Sequence, residues 1–300
     1  MKSLIKKIPG ARRVVNAVRR HRARRRPELD AVHQQMQQVL LQGYERDARG
    51  GRATHARIAD AGFRVFSQSD EDGIILYILA SIGMKDRRVV ELCCGNGHEC
   101  MATNLILNHG YEGFLFDGDA DNIRSAKIFF ASRKETFSVA PVLRQAWITR
   151  DNINDLLTSA GVSGEIDLLS LDMDGNDYYI WEAIDVIRPR LCVFETHNII
   201  PGDRSLTIPY DPAFTCWDKK GALRDFRSVS LAAMKKLSEA KGYRMIGAHR
   251  MGFNVFFLRN DIAPDLFPAV SIADVHDNPF TRHAQATRWP AVQNLPWFDV

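Results

Sequence analysis

The chain has few cysteines and no apolar run of membrane-spanning length. Five cysteines in 300 residues, an odd number with four of them inside apolar or glycine-flanked runs, do not make a disulfide framework. The chain therefore reads as a protein of a reducing, cytosolic compartment. Its longest apolar stretch, Ile74 to Ala80, is too short to cross a bilayer, and the N-terminus has no apolar core of a secretory signal. Internal repeats are missing as well. With 45% of its residues hydrophobic and 25% charged, the chain is not disordered as a whole. Its length suffices to bury one large core or two small ones.

Acidic residues are absent from residues 1–26, which hold eleven Lys and Arg. The formal charge of +4 belongs to this arm, because the other 274 residues carry 29 basic against 36 acidic side chains. Leu4, Ile8, Ala11, Val15 and Val18 recur there at helical spacing, interrupted by Pro9 and Gly10. Such an arm can lie on an anionic membrane surface, which would hold a cytoplasmic protein at the inner face of a membrane. A solvated arm, a nonspecific RNA contact and a transit peptide are the alternatives. The acidic balance of the remainder argues against a nucleic acid as partner.

Residues 27–62 read as a helical prelude, with Val32, Met36, Val39 and Leu40 on one face. From 63 to 262 helical and strand patterns alternate, which predicts an α/β, Rossmann-like three-layer sandwich. SDED predicts a capping box at Ser69 and Asp72 that starts a helix running to Gly83. RRVVEL is a first strand, and GNG turns into a helix over Glu99 to Leu107. GFLFD is a second strand, a third follows around Ser138 to Leu143, IDLLSLD is the fourth and RLCVFE the fifth. GYRMIGA and NVFFLRND are close enough to pair as an antiparallel hairpin, closing a mostly parallel sheet of seven strands. The long segment 197–228, with Pro201, Pro209 and Pro212, reads as a substrate loop or lid. Residues 263–300, rich in Pro and Trp, form a C-terminal extension expected to be irregular.

The stretch ELCCGNGHEC (91–100) poses a choice between a metal knot and a cofactor loop. Adjacent residues at a strand end point in opposite directions, so Cys93 and Cys94 do not easily face one ion, and no second ligand pair has zinc-like spacing. A strand that ends in glycines opening a helix lets a ligand approach the backbone closely. Asp117, at the end of the next strand, can take both hydroxyls of a ribose. Gly95, Gly97 and Asp117 together point to a nucleoside-containing cofactor. A dinucleotide wants a third glycine near Cys100, whereas S-adenosylmethionine needs no diphosphate site.

The elements FSQSDEDGI, VVELCCGNGHE, GFLFDGD, LLSLDMDGNDYYIWEAI and RLCVFETHN stand in the order and spacing of class I S-adenosylmethionine-dependent methyltransferases. Over roughly residues 63 to 260 the chain most resembles the FkbM type. The resemblance implies a cofactor set of Glu91, Gly95, Asn96, Gly97, Asp117, Asp119, Ala146 and Trp147, with Asp117 as the ribose acid and Ala146 and Trp147 beside the adenine. Cys93 stands where the family's first glycine is usual.

Methyl transfer to a hydroxyl needs the oxygen in line with the methyl and a group to take its proton. Asp172, Asp174 and Asp177 stand at the end of the fourth strand, and Glu195 and His197 at the end of the fifth. Asp172, Asp174, Glu195 and His197 form the candidate catalytic set. The competing structural reading has Asp174 and Asp177 capping the helix and His197 bonding a loop. Related sugar O-methyltransferases hold magnesium on a pair of acids at that strand end. Here a metal would fall to Asp174 and Glu195, with Thr196 in place of the second acid. The resemblance implies an O-methyltransferase acting on a sugar hydroxyl of a glycan or glycoconjugate, with Tyr210, Phe214 and Trp217 available to stack on the ring. The alternative is a fold that binds without catalysing, recruited to membrane-bound glycan machinery.

Overall fold

The computed structural model describes residues 27–300. The basic arm, on which the expectation of a membrane contact rests, lies outside the described residues. The chain divides into two compact units at Gly43. Helix α1 runs over Pro27–Arg49, and everything below concerns the unit from Tyr44 to Val300. No helix among the described residues is long and apolar enough to cross a membrane.

Seven strands build the main sheet: β1 (Arg88–Leu92), β2 (Glu112–Asp117), β3 (Val142–Gln145), β4 (Gly164–Leu171), β5 (Ile187–Glu195), β7 (Tyr243–Ala248) and β8 (Asn254–Arg259). They lie in the order β3-β2-β1-β4-β5-β8-β7. The first five are parallel, and β8 runs antiparallel to both β5 and β7. Both faces are covered, so the central strands need apolar side chains on both sides. Val89, Val90, Leu92, Leu168, Leu169 and Leu171 are accordingly all fully buried. The expected Rossmann-like sheet with an antiparallel terminal hairpin is the one observed. Strand order reverses on leaving β1, since β2 lies on one side of it and β4 on the other. Such a switch point opens a crevice at the carboxyl ends of the strands.

The helices of this sandwich are α2 (Glu71–Ile82), which precedes β1, and α3 (Met101–His109), α4 (Ala120–Ala131), α5 (Ile153–Ser159), α6 (Asp177–Ala183) and α7 (Leu231–Ala240), which lie between strands. The α2 start differs from expectation. Its N-cap is Asp70, without a side-chain cap bond, and Asp72 faces the preceding loop, where one of its oxygens accepts from the amides of Val65, Phe66 and Ser67 at 2.7, 2.6 and 2.7 Å. A carboxylate with several nearby backbone donors serves the loop better than a single cap would. Helix α3 begins two residues later than the glycine turn suggested, because its N-cap Cys100 is extended, with φ −149° and ψ 125°, which helix geometry excludes. Strand β3 starts four residues and ends two residues later than expected, since its pairing with Phe114–Asp117 of β2 sets its register.

The C-terminal extension is more ordered than its composition suggested. It holds α8 (Ile272–His276), opened by a Ser271–Asp274 capping box, α9 (Pro279–Thr287), capped by Asn278, and β9 (Phe298–Asp299). Strand β9 pairs with β6 (Leu206–Thr207) inside the long 197–228 segment. The extension thereby anchors that segment, and Trp289 and Val292 bury against Ile199, Ile200 and Leu206.

A buried ion pair locks the amino-terminal edge of the sheet. Arg190 meets Asp167 at 2.8 Å, and Asp167 also accepts from the Tyr111 hydroxyl at 3.0 Å and from the amides of Lys85 and Arg87. Every lone pair that burial takes from water is replaced by a donor here, as a structural carboxylate requires.

Candidate active site

The carboxyl edge of the sheet is built differently. A cavity of about 670 Å³ opens there, between the ends of β1, β2 and β4 and the long segment after β5. Cys93, Gly95, Asp117, Asp119, Ala146 and Trp147 line one part of it, and Asp172, Met173, Asp174, Phe214, Cys216 and Trp217 another.

The turn after β1 forms one wall. Gly95 has nothing within 4 Å of where a side chain would start, so its backbone is open to a ligand. Its amide donates to Asp117 Oδ2 at 2.8 Å, while Asp117 Oδ1 accepts from the Asp119 amide at 2.8 Å and from Asn122 Nδ2 at 3.1 Å. Three donors hold the carboxylate in place, and Oδ2 keeps a lone pair for a further hydroxyl. Asp119 caps α4 through the amides of Asp121 and Asn122. Ala146 donates its amide to the Asp117 carbonyl at 2.9 Å, and the Trp147 indole donates to the Pro212 carbonyl at 2.6 Å. Trp147 is therefore an exposed aromatic wall tied to the long segment.

Cys93 adopts φ 67°, the left-handed conformation that glycine favours and a side chain strains. The backbone thus keeps the conformation a glycine would give, while the thiol lines the cavity. Burial and the neighbouring Asp117, Asp172 and Asp177 carboxylates push that thiol well above its usual range, so it stays protonated and is not a nucleophile.

Three expected cofactor residues do not line the cavity. Glu91 is buried behind the turn, where it accepts from the amides of Met101 and Ala102 at 3.0 and 2.7 Å and from the Cys100 thiol at 3.0 Å. It anchors the start of α3, where helix N–H groups favour a carboxylate. A side chain at Gly97 would meet Phe130 at 3.0 Å, so this glycine lets α4 pack close. Asn96 is exposed and accepts from the His98 amide at 3.0 Å.

At the other end, Asp172, Asp174 and Glu195 each offer an oxygen, all within 4.8 Å of one another. Burial raises Asp172 and raises Glu195 further, with Asp172 and Asp174 adding to the effect on Glu195, and the two groups share a hydrogen bond. Like charges this close do not both ionise, so the pair shares one proton. Asp174, with φ 56°, is held by the Arg227 guanidinium. Arg227 comes from the long segment and also lies 3.7 Å from the Cys216 sulfur. Asp177 serves the turn itself: it accepts from the amides of Met173 and Gly175 at 2.8 and 3.0 Å, and burial pushes it up to about 7.

His197 does not join this group. Its Nε2 donates to the Asp225 carbonyl at 2.8 Å, and burial, with Arg227 adding, lowers it to about 3. A neutral imidazole with its proton engaged on a carbonyl is a structural support, and the candidate base set is reduced to Asp172, Asp174 and Glu195. Of the three aromatics proposed to stack, Phe214 and Trp217 line the cavity. Tyr210 instead packs on Tyr179, with Arg150 over its face.

Arg227 carried no signal in the sequence, because a single arginine in a long connection has no periodicity to identify its partner. Asn122 also went unnoticed, although it stands one helical step beyond Asp119.

No family model matches the chain, and no curated protein matches it. Among solved structures it is similar in fold to an S-adenosylmethionine-dependent methyltransferase from Clostridium acetobutylicum, at 11% identity over 61% of this chain and 87% of that one, TM-score 0.39. It is similar to magnesium protoporphyrin IX methyltransferase from Synechocystis with bound SAM, at 11% identity over 63% and 77%, TM-score 0.38. It is also similar to the N-terminal domain of EvdMO1 with SAH bound, at 13% identity over 73% and 96%, TM-score 0.42.

Proposed function

We propose that the protein is an S-adenosylmethionine-dependent O-methyltransferase of FkbM type, acting on a sugar hydroxyl of a glycan or glycoconjugate. The observation that carries this reading is one cavity lined by an open glycine turn and Asp117 and also by Asp172 and Asp174, with Glu195 grouped beside those two acids.

The residues fit the cofactor. Gly95 offers open backbone, Asp117 keeps acceptor capacity on Oδ2 for a ribose hydroxyl, and Trp147 offers a flat face for a base. S-adenosylmethionine supplies an electrophilic methyl group when bound. The chain's own residues orient the acceptor and remove its proton. Ionised Asp172, hydrogen-bonded to protonated Glu195, accepts the proton of the acceptor hydroxyl as that oxygen attacks. Arg227 holds Asp174 and offsets charge in the cluster. Phe214 and Trp217 give apolar faces against which a sugar ring can stack. This reading does not require magnesium, since the Asp172–Glu195 pair can take the proton and Arg227 already places a positive charge beside Asp174.

A second reading, of a fold that binds without catalysing, rests on the Cys93 side chain in the cavity wall. One assay separates the two. Methyl transfer from labelled S-adenosylmethionine to a panel of glycan acceptors is expected, with a loss of roughly 10²–10⁴-fold in Asp172→Asn while the cofactor still binds. Binding without turnover on every acceptor favours the second reading.

A further inference from the structure

A second cluster of ionisable side chains lies at the same edge of the sheet, outside the cavity just described. Asp70 and Glu71 open α2, and His249 follows β7 in the turn to β8. One oxygen of each acid and one ring nitrogen of His249 lie within 4.8 Å of one another, with His249 Nε2 at 3.8 Å from Glu71 Oε1. All three residues are buried, at 4%, 0% and 2% exposure. The Asn254 side chain completes the enclosure through a 2.8 Å bond from its Nδ2 to Glu71 Oε1.

The cluster differs from the Asp167 network in what it leaves unpaired. His249 Nε2, Asp70 Oδ1 and Asn254 Oδ1 are buried polar atoms with no hydrogen-bond partner. A buried polar atom that nothing meets is costly, and Asp70 Oδ1 and His249 Nε2 belong to one buried three-residue group. A salt bridge between His249 and Glu71 does not resolve the cost, because 3.8 Å is beyond hydrogen-bond reach. Asp70 Oδ2 accepts from Arg250 Nε at 2.8 Å, which leaves Oδ1 as the unpartnered oxygen of that carboxylate. A cation about 2.1 Å from each ligand spans donor separations up to about 4.2 Å. The 3.8 Å separation falls inside that range, and the remaining donor pairs lie within 4.8 Å of one another. His249 Nδ1 lies 3.3 Å from the Asn254 carbonyl oxygen and 3.2 Å from the Asn254 amide nitrogen, so the Asn254 backbone fixes the orientation of the ring.

We propose that Asp70, Glu71 and His249 bind a first-row divalent transition-metal ion, zinc or manganese, as a structural clamp. One imidazole with two carboxylates suits such ions better than magnesium or calcium, which prefer all-oxygen sets. The ion joins the start of α2 to the β7–β8 turn. That turn adjoins the active edge, because Asn254 is the register partner of Glu195. The clamp thus braces the strand end that carries a candidate base, without touching the cavity. It does not depend on the methyltransferase reading.

The test is metal content and calorimetric titration of the full-length chain. The purified protein is expected to hold about one zinc or manganese per chain. After chelation, titration with zinc chloride or manganese chloride alone restores one equivalent and raises Tm by about 5 °C. His249→Gln abolishes both the stoichiometric metal and the Tm rise, whereas Asp174→Asn, in the other acidic cluster, keeps them. The proposal is overturned if chelated wild-type protein binds neither ion with a Tm change. It is equally overturned if His249→Gln keeps the metal while Asp174→Asn loses it. The wild-type titration decides the matter even if His249→Gln fails to fold.

Discussion

Arg227 holds Asp174 across 53 residues of chain, tying the long segment after β5 to the turn after β4. Both side chains are about four-fifths shielded from solvent, so the bond works in a medium where losing one partner leaves the other poorly solvated. Arg227→Met is expected to destabilise the protein by about 1–2 kcal/mol in urea unfolding at pH 7, less than for a fully buried pair because water still reaches both groups. The loss should shrink at pH 5, where Asp172, pushed up to about 6 by burial, takes up a proton and leaves less charge for Arg227 to offset. A loss that is equal at both pH values contradicts this role of Arg227.

Cys93 makes a distinction between backbone and side chain testable. Its φ of 67° suits glycine, so Cys93→Gly relieves strain while adding unfolded-state freedom, and the two effects nearly cancel. Its stability should stay within about 1 kcal/mol of wild type, and cofactor affinity should hold or tighten as the cavity wall recedes. Cys93→Val puts a β-branched residue in the same conformation and should cost about 1–3 kcal/mol. Thermal melts of the two variants check the ordering, and equal stability would show that the turn adapts freely.

The strands, their order and the glycine turn were legible because each is a local pattern: an apolar run, a glycine pair, an acid at a strand end. Asp117 and Asp172 were found that way. Glu91 and His197 fit the same patterns, yet their side chains face the start of α3 and the Asp225 carbonyl. Direction at a strand end depends on packing that spacing does not encode. The pairing of β6 with β9 was illegible for a related reason, since two-residue strands carry no periodicity. Arg227 became visible only when the long segment folded back onto the sheet.

Asp177 should leave a signature in the pH dependence of stability. Its folded pKa is raised by burial from 3.8 to about 7, so its contribution is full below about pH 4 and is lost as pH rises through 7. Asp177→Asn does not titrate. The stability difference between wild type and this variant should therefore fall by about 1 kcal/mol or more between pH 4.5 and 7.5. Urea unfolding at intervals across that range measures it. A constant difference would mean that Asp177 is ionised throughout, with its bonds to Met173 and Gly175 outweighing burial.

The most direct measurement of the cofactor site is calorimetric titration of S-adenosylmethionine into wild type and Asp117→Asn. This substitution keeps the size of the side chain and an acceptor for the Gly95 amide, while removing the charge and one acceptor oxygen. One equivalent should bind wild type, and the variant should bind at least about tenfold more weakly with its melting temperature little changed, as expected for a lost charge-assisted hydrogen bond. No binding to wild type, or equal affinity for both proteins, would contradict the assignment of this cavity to the cofactor.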